Sequence, residues 1–375
     1  MFGTDYAVPL GKEEQGRAGK KRRNNMNAPD QSRNFKMKRP FTFVEILMAI
    51  IIIMILLAIT MPLLSRSMKR SKFIRWYAFN RALANDPTCV VNFNFQEGEG
   101  DKLNNICSGA DIQNYDQSKY CGYLSNNNGG KHNFQWIKSG GRWGKYGYKN
   151  ALQFNGVDTY IHVPGSQGLD FTPADDFTIL CWVRFDKIGL GDCPFSKSLW
   201  GTEADAAAQY DMYSNPYAGT FGQGSFDVDV FTTCATWEST KVDFDKAGWV
   251  HLVLRYESTG MNPATGEYTG RTSVFVNGVT LGPWISTTDE NPNTASATGW
   301  KACAESGINV PLIIGGAGCY RKYWSPGTYN PGLAGQLKNE WLIKFFFKGK
   351  MDEFLLFKRA LTDLEIMDHY QMGKE

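Results

Sequence analysis

Thr272-Ser273-Val274-Phe275-Val276-Asn277-Gly278-Val279-Thr280-Leu281 reads as two short strands joined by a two-residue turn. Apolar and polar residues alternate before the turn, the period of a strand with one covered face. Asn277-Gly278 suits a hairpin turn that needs positive φ at both central positions. The same signal recurs outward from this point. Phe177 to Phe185 and Trp249 to Tyr256 read as longer strands, the first with one apolar and one mixed face. Leu312-Ile313-Ile314-Gly315-Gly316 and Met351 to Phe357 add two more. One helix is marked near the end, where Thr362-Asp363-Leu364-Glu365 forms a capping box that opens a short helix to about Tyr370. Many short strands, Gly-rich turns and no alternating helices predict an antiparallel β-sandwich over residues 88–375.

The N-terminal part is a different kind of chain. Ile46 to Ser65 is a run of twenty residues without a charge, made mostly of Ile, Leu, Met and Ala with no Gly. At 1.5 Å per residue it spans roughly 30 Å, the hydrocarbon thickness of a bilayer. No Gly or Pro interrupts from Leu63 to Ala84, and Asn85-Asp86-Pro87 stops the helix. One rod over residues 41–86 is therefore expected, transmembrane in its first half. Its second half carries Arg66, Lys69, Arg70, Lys72, Arg75 and Arg81 between aromatics and should pack on the head or on neighbouring rods. Residues 1–40 hold ten basic and four acidic side chains without an apolar period, and read as a disordered basic leader. The full chain carries +3 at pH 7, so the part after the leader is near −3. The basic run has no interleaved aromatics and precedes the membrane segment, so no nucleic-acid partner is expected. Met26 and Met37 are alternative starts to Met1.

Lys38-Arg39-Pro40-Phe41-Thr42-Phe43-Val44-Glu45 and the apolar run after it resemble the processing and methylation motif of type IV pilins and type II secretion pseudopilins. The resemblance implies that a prepilin peptidase cuts between Pro40 and Phe41 and that the new amine of Phe41 is methylated. It implies that Glu45 is the assembly carboxylate, pairing with the amino terminus of another pilin-like subunit. The family usually has Gly where this chain has Pro40. A carboxylate at the edge of a membrane helix is costly to bury unless paired, so the implied role agrees with the physics. Pro62 lies where pilin helices often carry a bend.

The head has its own resemblance. Val91 to Gly100, Ala151 to Ile161, Phe177 to Phe185, Trp249-Val250-His251, Phe275 to Gly278, Gly349 to Glu353 and Arg359 to Ile366 follow one another in order. Together they resemble the laminin-G-like branch of the concanavalin A-like lectin/glucanase domains, which implies a jelly roll. That family includes sugar binders, peptide binders, hydrolases and structural modules. Related domains often hold Ca²⁺, and the resemblance points to Asp158 and Asp352 as ligands. The competing reading is that Asp158 caps a turn and Asp352 pairs with a nearby Lys or backbone amide. The long inserts 107–149, 186–245 and 282–347 read as loops on a rigid scaffold, where binding usually sits. Asn126-Asn127-Asn128-Gly129-Gly130 reads as a mobile loop tip.

Eight cysteines lie beyond the membrane run, and none forms Cys-x-x-Cys. An even count outside the cytoplasm suits disulfides. Pairing of Cys107 with Cys121 and of Cys303 with Cys319 is expected, with Cys181 a buried thiol. The Glu-x-Asp-x-x-Glu pattern of retaining glucanases is absent, the four histidines are scattered, and no nucleophile or phosphate-loop motif occurs. A non-catalytic head is expected. Aromatic residues beside amides and carboxylates suit sugar binding, and Tyr210, Tyr213, Tyr320, Tyr323 and Trp324 are the candidates. Trp136, Trp143, Tyr146 and Tyr148 form a second aromatic patch.

The sequence therefore predicts a pilin-like protein in the bacterial inner membrane. Its head would lie outside the cytoplasm and recognise glycans or surface polymers. The alternatives are a filament or secretion-system subunit whose head binds no ligand, and a polysaccharide hydrolase with an atypical site.

Overall fold

In the computed structural model the described residues are 42–374, apart from 110–115, 127–133, 165–166, 190, 201–206, 215–224, 232, 239–243, 245, 262, 265–267, 285–310 and 321–340. The chain forms two compact units, Met1–Leu57 and Ala58–Glu375. The long helix α1, Phe43–Ala84, starts in the first and ends in the second.

Within the first unit the side chains of α1 from Phe43 to Leu57 are exposed. They are almost entirely apolar, and the helix is long and apolar enough to cross a membrane. Pro62 lies inside the helix without ending it.

The second unit is mainly β. An eight-stranded sheet runs, among the described residues, in the order Val279–Thr280, Tyr268–Val276, Val250–Met261, Phe177–Phe185, Lys348–Phe357, Ala151–Asn155 and Gln135–Ile137. Its eighth member, Cys89–Phe93, pairs with the second half of Lys348–Phe357. An eleven-stranded sheet runs Gly282–Trp284, Thr233–Glu238, Ser225–Val230, Ala207–Ser214, Phe195–Trp200, Leu312–Ile314, Thr159–Val163, Gly122–Asn126 and Lys102–Leu103. Ala317–Tyr320 joins Phe195–Trp200 in parallel and pairs with Trp341–Lys344. Among the described residues the other strand pairings of both sheets are antiparallel, as expected for an antiparallel β-sandwich.

The Phe177–Phe185 strand shows how the layers are built. Phe177 approaches Tyr210 of the opposite sheet at 5.4 Å between ring centroids, and Phe185 approaches Phe226 at 6.2 Å. These residues, with Ile179, Cys181 and Val183, belong to the main core. The alternate residues face the other way. Leu180 borders a crevice with Phe79 and Leu83 of α1, and Trp182 stacks on Tyr370 at 5.9 Å. Tyr370 lies on the short helix α2, Asp363–Gly373. Helices therefore cover the outer face of this sheet, and the strand is buried on both sides, except at Arg184. One apolar and one mixed face was the sequence expectation; helical cover is the reason the second face is also buried.

Thr362 caps α2 with the reciprocal Glu365 contact that the capping box requires, and the helix continues past Tyr370 to Gly373. In the second half of α1, Trp76, Asn80 and Ala84 are buried at four-residue spacing, a single stripe turned toward the sheet. Cys89 and Cys107 form a disulfide. This corrects the expected Cys107–Cys121 pair: the chain entering the sheet directly after α1 brings Cys89 to Cys107 first. Cys303 and the side chain of Cys319 lie outside the described residues. Cys181 is a buried thiol, as expected, and burial pushes its pKa up. The Asn127–Gly130 part of the expected loop tip is also outside the described residues.

At the turn of the opening hairpin, Asn277 and Gly278 have φ of 53° and 76°. Asn277 is fixed there by accepting the His251 N–H at 3.0 Å and donating its own N–H to the His251 carbonyl at 2.8 Å. Gly278→Ala is expected to destabilise the head by about 1–2 kcal/mol through the left-handed backbone alone. A lower thermal midpoint of the purified chain would register it, and an unchanged midpoint would contradict it.

Candidate functional site

Asp352-Glu353 places two acids in succession in a strand of otherwise mostly apolar residues. Successive side chains of a regular strand point to opposite faces. Here the pairing with Phe177–Phe185 shifts between Met351 and Glu353, a bulge that re-aims side chains. Both carboxylates consequently reach one guanidinium. Arg142 lies 2.9 Å from Asp352 through Nε and donates to Glu353 through Nη2. The backbone N–H of Arg142 also donates to Asp352 Oδ2 at 2.7 Å. All three side chains are fully buried.

Arg142 arrives on Gly140-Gly141-Arg142-Trp143-Gly144. A Cβ on Gly141 would stand 2.8 Å from Asp352 Oδ2 and 2.9 Å from the Asn150 carbonyl, so a side chain there would separate the pair. At the end of α2, a Cβ on Gly373 would overlap Arg142 Nη1. The guanidinium also lies among three indoles, with Trp182 at 4.4 Å, Trp143 at 5.3 Å and Trp76 at 5.6 Å. Cation–π attraction strengthens when both groups are removed from water.

The second half of α1 completes the cluster. Trp76 Nε1–H donates to both Glu353 oxygens, at 3.0 and 3.1 Å, and Asn80 Nδ2 donates to Oε1 at 2.7 Å. Lys149, also fully buried, donates to the Asn94 carbonyl at 2.6 Å and lies 3.6 Å from the centroid of a Trp76 ring. On the α2 side, His369 Nδ1 and His251 Nε2 are 2.9 Å apart, and His369 Nε2 is 3.7 Å from Glu353.

Burial alone would raise the Glu353 pKa, but Arg142, His369 and Lys149 outweigh it and hold it well below the usual carboxylate range. Burial raises Asp352, and Arg142 and Lys149 offset only part of that. Burial lowers Lys149 to about 7, against the pull of the two carboxylates. Burial, with His369 and Arg142, holds His251 well below the usual histidine value. The cluster is a sealed polar clamp that joins α1, the sheet and α2 by charge and hydrogen bonds.

At the other end of α1, Glu45 Oε2 accepts from the Thr42 N–H at 2.8 Å and from Thr42 Oγ1 at 3.0 Å. The Glu45 N–H donates back to Thr42 Oγ1 at 3.3 Å. These two residues thus form a capping box at the helix start. Pro40 and Phe41 lie outside the described residues.

The remaining candidates separate. Asp352 does not fit a calcium role, since Arg142 faces its carboxylate. Asp158 accepts from Asn155 Nδ2 at 2.7 Å within its own turn. Among the described residues no group of three His, Cys, Asp or Glu could hold a metal ion. Tyr210 is corrected from ligand platform to core: it is fully buried and packs on Phe171 and Phe177. Tyr213 is half-buried and stacks on Phe345 at 6.4 Å. The side chain of Tyr320, and Tyr323 and Trp324 entirely, lie outside the described residues. The second aromatic patch divides: Arg66 and Arg70 of α1 lie 4.6 Å over Tyr146 and 6.0 Å over Tyr148, Trp143 donates to the Lys374 carbonyl just after α2 at 3.0 Å, and Trp136 donates to the Gly100 carbonyl at 2.9 Å.

No family model and no curated protein matches the chain. Solved structures with partial likeness include domain 4 of AbnA, an extracellular GH43 arabinanase of Geobacillus stearothermophilus, in complex with arabinotriose. It is 14% identical, with 76% of this chain and 100% of that one covered, at a TM-score of 0.38. The binding domain of Paraclostridial Mosquitocidal Protein 1 is 13% identical, covered over 76% of this chain and 52% of that one, at 0.40. Trypanosoma rangeli sialidase in complex with sialic acid is 14% identical over 77% and 34%, at 0.41. The match thus spans about half of the second protein and a third of the third. At this level of likeness none assigns the chain a family, ligand or activity.

Removing one partner of a buried ion pair typically costs ~3–5 kcal/mol, because the other charge is left without compensation. Glu353→Ala should destabilise the full chain by about that much in urea titration, and Glu353→Gln by clearly less, since it keeps an acceptor for Trp76. Equal, sub-kcal effects of both would contradict the clamp.

Lys149 gives a pH dependence of definite sign. Between about 7 and the ordinary 10.5, the unfolded chain carries a proton on this amine that the folded chain has lost. Stability should therefore rise with pH through that window, by up to about 1.4 kcal/mol per unit from this residue. Lys149→Met should remove this increment, seen as a flatter stability–pH curve than that of the unaltered chain; parallel curves would contradict it.

Proposed function

We propose that this chain is a pilin-like protein of the bacterial inner membrane that displays a non-catalytic recognition head outside the cytoplasm. The observation that carries the reading is α1 itself. One unbroken helix has a charge-free, exposed stretch after Glu45 and a second half held against the outer face of the eight-stranded sheet by Trp76 and Asn80. A helix built this way is an anchor at one end and a structural element of the head at the other.

In this reading a prepilin peptidase cleaves Pro40–Phe41 and the Phe41 amine is methylated. Glu45 then exchanges its local Thr42 contacts for the amine of a neighbouring subunit. That exchange has a physical motive, because a carboxylate in a low-dielectric setting gains more from a full opposite charge than from neutral donors. The head recognises a glycan or surface polymer. Calcium has no support from the placement of Asp158 and Asp352 and forms no part of the proposal.

Mass spectrometry of the N-terminus of the native protein tests the anchor. A chain beginning at methylated Phe41 is the expected result. A chain retaining residues 1–40 would overturn the pilin part and leave a tethered sandwich.

A further inference from the structure

The outer face of the eight-stranded sheet is covered by helices over its middle strands, but not at its hairpin edge. There a cleft of about 500 Å³ opens between the Val250–Met261 and Tyr268–Val276 strands, Thr280 and the start of α2. Glu257 faces Arg271 across the ladder, and Arg255 faces Ser273. Alternating residues of these strands therefore line one surface.

The charges there come in pairs. Arg271 Nη2 donates to Glu257, and Arg255 Nη1 donates to Asp363 at 2.6 Å and to the Leu361 carbonyl at 2.8 Å. Arg255 is more than nine-tenths buried. Its Nε has no hydrogen-bond partner among the described residues, although the residue lines the cleft. Buried polar groups without partners are rare in folded proteins and call for an explanation. Leu281 and Leu361 add apolar surface beside them.

We propose that this cleft binds a neutral saccharide. A guanidinium beside a carboxylate offers a donor and an acceptor at adjacent positions. Neighbouring sugar hydroxyls, each able to donate and accept, match that arrangement. The two positive and two negative side chains balance, so an anionic ligand would meet Glu257 and Asp363 and a cationic one Arg255 and Arg271. The volume lies in the range of small-ligand sites. This inference rests on the reading of the head as a recognition domain and gives that reading a place and a ligand class.

The test uses the full chain in detergent on an array printed with neutral oligosaccharides of glucose, galactose, mannose, xylose, arabinose and N-acetylhexosamines, and with uronic and sialic acid oligosaccharides. Arg271→Gln removes one exposed ion pair, and Thr280→Trp fills the cleft from an exposed strand position; circular dichroism checks that both fold. Retention of at least one neutral series is expected, with a tenfold or greater loss in both variants. Neutral binding undiminished in both variants overturns the cleft but leaves the recognition reading standing. Binding confined to the acidic series overturns the ligand class. A silent array overturns the cleft and the recognition reading together.

Discussion

The Glu353 carboxylate is the point on which the head and the helix depend in common. It collects the indole of Trp76, the amide of Asn80 and the guanidinium of Arg142 at one buried position. A carboxylate placed there without Arg142 would be an uncompensated charge, and Arg142 without Asp352 and Glu353 would be another. The bulge at Met351–Glu353, Gly141 and Gly373 follow from this requirement, since each gives the charges room to meet.

A buried ion cluster is weak evidence for added stability, because well-packed apolar residues of similar volume often do as well. Its value here is in specifying position. The buried stripe of Trp76, Asn80 and Ala84 on the second half of α1 is short. Polar partners that fit in one arrangement fix both the rotation and the height of the helix on the strand, which apolar contact alone would leave degenerate. A second tie acts in the same sense. Arg359 bridges Asp86, just after α1, and Glu365 in the first turn of α2, whose carboxyl it holds down to about 2.

Much of the architecture was legible in the sequence. The Asn277-Gly278 turn, the Thr362 capping box, the Phe177–Phe185 strand and the end of α1 at Asn85-Asp86-Pro87 are set by local chemistry, and local chemistry is what a sequence displays. The clamp was legible only in fragments. Asp352-Glu353 interrupts the alternation of its strand, and Gly140-Gly141 precedes an arginine, yet nothing in either string says that residues 210 positions apart meet. That pairing is a product of topology. Aromatic side chains misled for a related reason: Tyr210, Tyr146 and Tyr148 have the chemistry of sugar platforms, but the sandwich uses the first as core and α1 uses the others as cation–π partners.

Native-state hydrogen exchange of the full chain tests the central claim most directly, because it reports the opening of each element separately. If the Glu353 cluster makes the second half of α1 part of the head, the amides of Phe73 to Ala84 should exchange at the same rate as those of Phe177 to Phe185, through global unfolding. Exchange of that helical stretch through a separate, lower-energy opening, with the sheet still protected, would contradict the account.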